Sequence, residues 1–168
     1  MESLIKEHYE LKGTEDDAGR SKSKRPLQKK DCTVRALALA FELEYDVAYD
    51  FCMEQGRKSH RGFHLHKLLE KYAKSGALFF GKKVIKHSFP AEKGVERMNV
   101  GAFGYLHPKG KYVTRQAGHV ATVIDGVLHD LNISVFSFER CVYIAYEIVD
   151  YEKPVKYVKL AGGGHEIV

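Results

Sequence analysis

The chain has 168 residues, of which 44% are hydrophobic and 29% are charged, values typical of a single globular domain. A domain of this size buries enough surface to fold without a metal or a disulfide. No apolar run approaches the roughly 20 residues of a membrane span, and the charged N-terminus lacks the apolar core of a signal peptide. The composition therefore predicts a cytoplasmic protein with no membrane partner.

The formal net charge is +5, and much of the excess comes from one basic segment, residues 20–30. This basic segment contains Arg20, Lys22, Lys24, Arg25, Lys29 and Lys30. Two interpretations are open: a solvated linker, or a contact surface for nucleic acid or another acidic partner. No aromatic residue interleaves with these charges, so the stacking platform of single-strand binders is missing.

The pattern along the chain divides it into three parts. Residues 1–27 are predicted to be an N-terminal extension, partly flexible and basic, with a short helix in 1–12 and a linker in 13–27. Residues 28–150 are predicted to be the folded domain, and residues 151–168 a C-terminal tail with a triple glycine.

The first strong element is a helix that begins at Cys32 and continues to about residue 44. Asp31 is a suitable N-cap. Between Asp31 and Glu42 only Thr33 and Arg35 are polar, and a helix that is apolar on all sides is a buried helix. Its first turn, which carries Cys32, must nevertheless lie near a surface or a cleft.

Further helices are predicted over residues 46–55, 62–74 and 92–99, and the chain is rich in β-strands after residue 105. Asp125-Gly126, between two apolar runs, is a strong hairpin signal. Helices followed by an antiparallel sheet predict an α+β fold, with the buried N-terminal helix packed on the C-terminal sheet.

A two-residue turn at Asp125-Gly126 places His119 opposite Asn132 and puts Asp130 on the diagonal of the same face. Either side chain could orient the imidazole by a hydrogen bond, as the third member of a nucleophile–base–orienter triad does. The sequence leaves the choice between Asp130 and Asn132 open.

Cys32 is the candidate nucleophile. A helix N-terminus and a nearby imidazolium both favour the thiolate, which is the reactive form. The free N–H groups of the first helical turn could hold an oxyanion, and Gln28 could supply a second donor.

Two motifs resemble the papain-like cysteine peptidase superfamily, and small phage and bacterial members in particular: QKKDCTVRALALA, and later GHVATVIDGVLHDLN. The resemblance covers residues 28–146. It implies a central helix on an antiparallel sheet, Cys32 as nucleophile, His119 as general base and Asp130 or Asn132 as orienter. Gln28, the oxyanion candidate, is closer to its cysteine than is usual in the superfamily. If the chain is phage-encoded, its location is the host cytoplasm.

The other candidate groups have simpler interpretations. Cys52 and Cys141 are interpreted as packing residues, and three cysteines distant in sequence do not form a disulfide framework. His64 and His66 diverge by about 200° if they share a helix, and no acidic or cysteine ligand adjoins them, so no metal site is predicted. No cofactor is expected.

The sequence thus predicts a cysteine-dependent amide hydrolase that acts on a protein or peptide substrate. Two alternatives remain. One is an acyltransferase with the same triad, as in transglutaminases, in which an amine replaces water. The other is a non-catalytic binding or inhibitory phage protein on a papain-like scaffold. The oligomeric state and the substrate are not predicted.

Overall fold

The computed structural model describes residues 10–152 and, as backbone alone, two short strands beyond them. The fold class is α+β, as the sequence predicts. The described helices are α1 (Cys32–Phe41), α2 (Tyr45–Glu54), α3 (Leu65–Ser75), α4 (Val100–Leu106) and α5 (Val135–Glu139). None of these helices is long and apolar enough to cross a bilayer.

A six-stranded mixed sheet has the order β1-β5-β4-β3-β6-β2. Its strands are β1 (Gly13–Glu15), β2 (Lys82–Ser88), β3 (Lys111–Gln116), β4 (His119–Ile124), β5 (Val127–Asp130) and β6 (Ile144–Asp150). All neighbours are antiparallel except β1 and β5. Two further strands, β7 (Tyr157–Lys159) and β8 (His165–Ile167), pair with each other within the predicted tail.

The β4–β5 hairpin has the register that the Asp125-Gly126 turn predicts, with Ile124 opposite Val127. Strict alternation then separates the two faces of the sheet. Ala121, Val123 and Leu128 lie in one apolar cluster with Phe103 of α4, whereas Val120 lies in the cluster on the opposite face. The hairpin thereby fixes which side chains face each helix layer.

Helix α1 crosses the larger of the two apolar clusters. Val34, Leu37 and Ala40 have no exposed surface, and they pack with residues of α2, α3 and β4. Complete burial of a leucine or valine stabilises the fold by roughly 1.5–3 kcal/mol. This packing therefore holds the N-terminal turn of α1 in a fixed position against the sheet.

The structure differs from the sequence-based expectation at residues 92–99, which contain no helix. The helix begins later, because the Asn99 side chain caps α4 by accepting a hydrogen bond from the Ala102 N–H at 2.8 Å. The predicted linker, residues 13–27, contains β1 and a 3₁₀ turn over Arg20–Lys22. The helix predicted over residues 1–12 falls almost entirely outside the described residues.

Gly104 of α4 lies against the hairpin turn, where an added Cβ would be 2.8 Å from the Gly126 carbonyl oxygen. Alanine ordinarily stabilises a helix relative to glycine, but the backbone leaves no room for it at this position. We expect Gly104→Ala to lower the free energy of unfolding by about 1–3 kcal/mol, as measured by urea denaturation. Gly62→Ala is the matched control, because nothing lies within 4 Å of its added Cβ. Unchanged or increased stability of Gly104→Ala would contradict this packing.

Candidate active site

Cys32 is the first residue of α1 and is partly exposed. It lines a cleft of about 400 Å³ between the start of α1, residues 62–66 and the turn from β3 to β4. The turn contributes His119, the first residue of β4, to the same cleft. The structure therefore brings together the predicted nucleophile and the predicted base, which are 87 positions apart in the chain (119 − 32).

The His119 ring hydrogen bonds to Asp130, with Nε2 at 2.6 Å from the carboxylate oxygen Oδ2. This contact leaves Nδ1 as the ring nitrogen available to Cys32, which lines the same cleft as His119. Cys32, His119 and Asp130 thus lie in series, with the histidine between the thiol and the carboxylate that holds its ring, which is the arrangement of a nucleophile, a base and an orienting acid.

The electrostatics of this chain favour a charged pair. Burial alone would raise the pKa of the Cys32 thiol, but the hydrogen bonds from His119 and the Val120 N–H, with the charges of His119 and Arg35, outweigh burial and lower it. Burial acts against the imidazolium of His119, yet the hydrogen bonds to Asp130 and Cys32 raise its pKa to about 9. Both shifts are in the direction that favours the thiolate–imidazolium pair over thiol and imidazole.

Arg35, one turn after Cys32 in α1, holds the other oxygen of the Asp130 carboxylate. Its guanidinium NH1 donates to Asp130 Oδ1 at 2.8 Å, and the Leu131 backbone N–H donates to the same oxygen. Burial would raise the pKa of Asp130, but these donors and His119 together lower it. Asp130 is therefore an ionised, immobilised carboxylate beneath the histidine.

Asp31 completes the network in a role that the sequence did not predict. Its side chain does not cap α1. It accepts hydrogen bonds from Arg35 Nε at 3.1 Å, from Arg20 at 3.1 Å and from the Tyr45 hydroxyl at 2.8 Å. Because the Asp31 side chain is engaged in these contacts, it does not cap α1. The N–H groups of the first turn of α1 therefore remain available to a ligand in the cleft.

Asn132, the second candidate orienter, lines a small second cleft with His119 and Asp130 but does not hydrogen bond to the histidine. Strand β5 ends at Asp130, and Asn132 adopts a left-handed conformation with φ of 53°. The Glu15 carboxylate of β1 accepts hydrogen bonds from the backbone N–H groups of Asn132 and Ile133. These contacts turn the chain away from the hairpin face, and His119 hydrogen bonds to Asp130 instead.

Gln28 does not lie where its predicted role as an oxyanion donor requires. Its side-chain carbonyl accepts hydrogen bonds from Arg57 and from the His60 N–H, and its amide donates to Ser59 Oγ at 3.3 Å. It is not among the residues that line the Cys32 cleft. The structure therefore uses Gln28 to hold residues 57–60 and does not offer its amide to an oxyanion.

The remaining cysteines and histidines fall into separate environments. Cys52 is fully buried in the core, and burial raises the pKa of its thiol to about 12. His64 and His66 both line the Cys32 cleft, with ring centroids 5.4 Å apart. In the part of the chain that the structure describes, no three His, Cys, Asp or Glu side chains are arranged to hold a metal ion.

Comparison with models of known protein families, with curated proteins and with solved structures finds no match. The functional argument therefore depends on the geometry of the cleft and on the sequence motifs.

The pH dependence of Cys32 alkylation tests the predicted pairing with His119. We expect iodoacetamide to modify Cys32 at pH values well below the usual thiol pKa, because alkylation follows the thiolate. In His119→Ala the rate at pH 7 should fall by about tenfold or more, which corresponds to a loss of at least one pKa unit.

The matched control is His87→Ala, since His87 pairs with Glu147 in β2 and β6 and does not line the cleft. The pairing is contradicted if His119→Ala leaves the pH profile unchanged, or if Cys52 or Cys141 is alkylated first.

A second test concerns the orienting carboxylate. In Asp130→Asn the pKa of His119 should fall from about 9 to its usual 6.5 or below, because the lost charge no longer offsets burial of the ring. Histidine Cε1–H shifts in an NMR titration give this value directly. Asp150→Asn, which removes an exposed partner of Lys82, should leave the His119 titration unaltered. A His119 pKa that stays near 9 in Asp130→Asn would contradict the role assigned to Asp130.

Proposed function

We propose that this protein is a cysteine-dependent amide hydrolase of the papain-like type, with Cys32 as nucleophile, His119 as base and Asp130 as orienter. One observation carries the proposal: Cys32 lies at the N-terminus of a buried helix, in an open cleft that it shares with His119, and His119 hydrogen bonds to Asp130. A cysteine that serves only the core, such as Cys52, has no such partners.

In the proposed first step, the Cys32 thiolate attacks the carbonyl carbon of the amide. A carbon–sulfur bond forms and the carbonyl oxygen takes up the negative charge. The N–H groups of the first turn of α1, which no side chain caps, are the proposed donors that stabilise this oxygen. His119 then donates its proton to the leaving nitrogen, the carbon–nitrogen bond breaks, and an amine leaves from a thioester on Cys32.

In the second step, neutral His119 takes a proton from water as the water oxygen attacks the thioester carbonyl. The carbon–sulfur bond breaks, the acid product leaves, and the thiolate–imidazolium pair is regenerated. No cofactor takes part in this sequence, and Asp130 remains ionised throughout. Arg35 supports the cycle by holding Asp130 in place while His119 changes its charge.

The proposed substrate is a protein or a peptide, since the cleft is large enough for a peptide segment. The acyltransferase alternative uses the same thioester and differs only in the acceptor, so a nucleophilic amine in the assay distinguishes the two activities. A binding protein without activity would need neither the lowered pKa of Cys32 nor the raised pKa of His119.

Hydrolysis of a fluorogenic peptide-amide library tests the proposal. We expect release of the amine by the wild-type protein and a loss of about 10³-fold or more in Cys32→Ala. Cys52→Ala tests whether loss of any thiol has the same effect, and it should retain activity if it folds. A wild-type protein whose Cys32 is reactive but which cleaves no amide or isopeptide would contradict hydrolysis, as would full activity in Cys32→Ala.

The basic segment, residues 20–30, has fewer free charges than its sequence suggests. Arg20 pairs with Asp31, and Arg25 pairs with Asp46 and Asp50 and lies 4.0 Å from the ring centroid of Tyr49. Four exposed lysines remain: Lys22, Lys24, Lys29 and Lys30. A nucleic-acid or acidic partner is thus proposed only through these lysines. A reducing compartment such as the cytoplasm, or the host cytoplasm for a phage-encoded protein, suits a reactive thiol.

A further inference from the structure

Besides His119, three basic side chains line the cleft that contains Cys32: His64, His66 and Arg115. His64 immediately precedes α3 and His66 lies in its first turn, while Arg115 comes from β3. None of the residues that line this cleft is an aspartate or a glutamate. Of these three groups Arg115 is the permanently charged one, and no acidic side chain lines the cleft to balance it.

Arg115 differs from the other arginines near the site. Arg20, Arg25 and Arg35 all form salt bridges with carboxylates. The Arg115 guanidinium forms no hydrogen bond and no ion pair with any residue in the range 10–152, although it is partly buried. A guanidinium that lines a cleft without a carboxylate partner can bind a carboxylate of a ligand in bidentate geometry.

Glu70 of α3, a carboxylate near His66, already has other partners. It pairs with Lys86 and accepts a hydrogen bond from the Tyr146 hydroxyl. The pKa of His66 is lowered, mainly by burial. The charges of Arg115 and His64 lower it further. The charge of Arg115 is thus felt at His66, inside the cleft.

The same cleft offers apolar surface beside these charges. Phe63 and Tyr143 line it, and the rim at Ala117 and Gly118 is small and exposed. Aromatic side chains next to a guanidinium suit a short aliphatic stem that ends in a carboxylate.

We propose that Arg115 binds a carboxylate of the substrate beside the scissile amide, so that the enzyme selects acidic peptides. This inference rests on the proposed function, because it names the substrate class of that site. The carboxylate belongs either to an aspartate or glutamate side chain or to a free peptide C-terminus, and both sources present the same group to Arg115.

The first experiment compares two alkylating agents that differ in charge. Iodoacetate and iodoacetamide both modify the Cys32 thiolate, so the ratio of their rates reports the local potential and cancels changes in the thiolate fraction. We expect the ratio of the iodoacetate rate to the iodoacetamide rate to fall about fivefold in Arg115→Gln. This is the effect of removing one positive charge close to the thiolate.

Lys109→Gln is the matched control, because it removes one positive charge from an exposed residue just before β3, at the end of that strand opposite Arg115. The rate ratio should not change in this variant.

The second experiment measures how three peptides protect Cys32 from iodoacetamide. They are N-acetyl-Gly-Glu-amide, N-acetyl-Gly-Gln with a free C-terminus, and the neutral N-acetyl-Gly-Gln-amide. We expect the first or the second to protect at about tenfold lower concentration than the neutral peptide, and the one that does identifies the source of the carboxylate. Arg115→Gln should abolish this preference.

Equal protection by all three peptides, or a rate ratio that Arg115→Gln does not change, would overturn the inference and leave the hydrolase proposal intact. Failure of iodoacetamide to modify Cys32 below the usual thiol pKa would instead overturn the proposed function itself. The two failures are therefore distinguishable within one set of measurements.

Discussion

The buried carboxylate of Asp130 is the contact on which the rest of the site depends. One oxygen accepts from His119, and the other accepts from Arg35 and from the Leu131 N–H. These partners come from the end of β5, the start of β4 and the first turns of α1, so one side chain joins the helix layer to the sheet. A buried charge is stable only when such partners satisfy it, and the positions of α1 and the hairpin are therefore mutually constrained.

The position of the thiol follows from that constraint. Packing of Val34 and Leu37 in the core fixes α1, and the Arg35–Asp130 pair fixes its rotation relative to the sheet. Cys32 then lies at the helix N-terminus with His119 beside it. Because Asp31 is held by Arg20, Arg35 and Tyr45, it adds buried charge to the network and does not block the first helical turn.

The sequence predicts the parts of this arrangement that local patterns encode. Helix α1, the two-residue turn and the alternation in β4 and β5 follow from apolar periodicity and turn chemistry, and they nominate Cys32 and His119, with Asp130 or Asn132 as the orienter. Asn132 is a candidate orienter only if strand β5 continues beyond Asp130. The strand ends there because Glu15 of β1, which is 117 residues away in sequence, accepts a hydrogen bond from the Asn132 N–H. The hydrogen bonds of Gln28 and Arg20 likewise go to residues outside their own sequence motif, Ser59 and Asp31. No local pattern identifies these partners.

Acylation of the protein by p-nitrophenyl acetate tests the central claim, that Cys32 is the nucleophile, most directly. The account predicts a rapid burst of one p-nitrophenolate per active site, with a single acetyl group mapped to Cys32 by mass spectrometry after acid quenching. The burst should be absent from Cys32→Ala and strongly slowed in His119→Ala. A burst that persists in Cys32→Ala, or an acetyl group that maps to Cys52, Cys141 or a lysine, would contradict it.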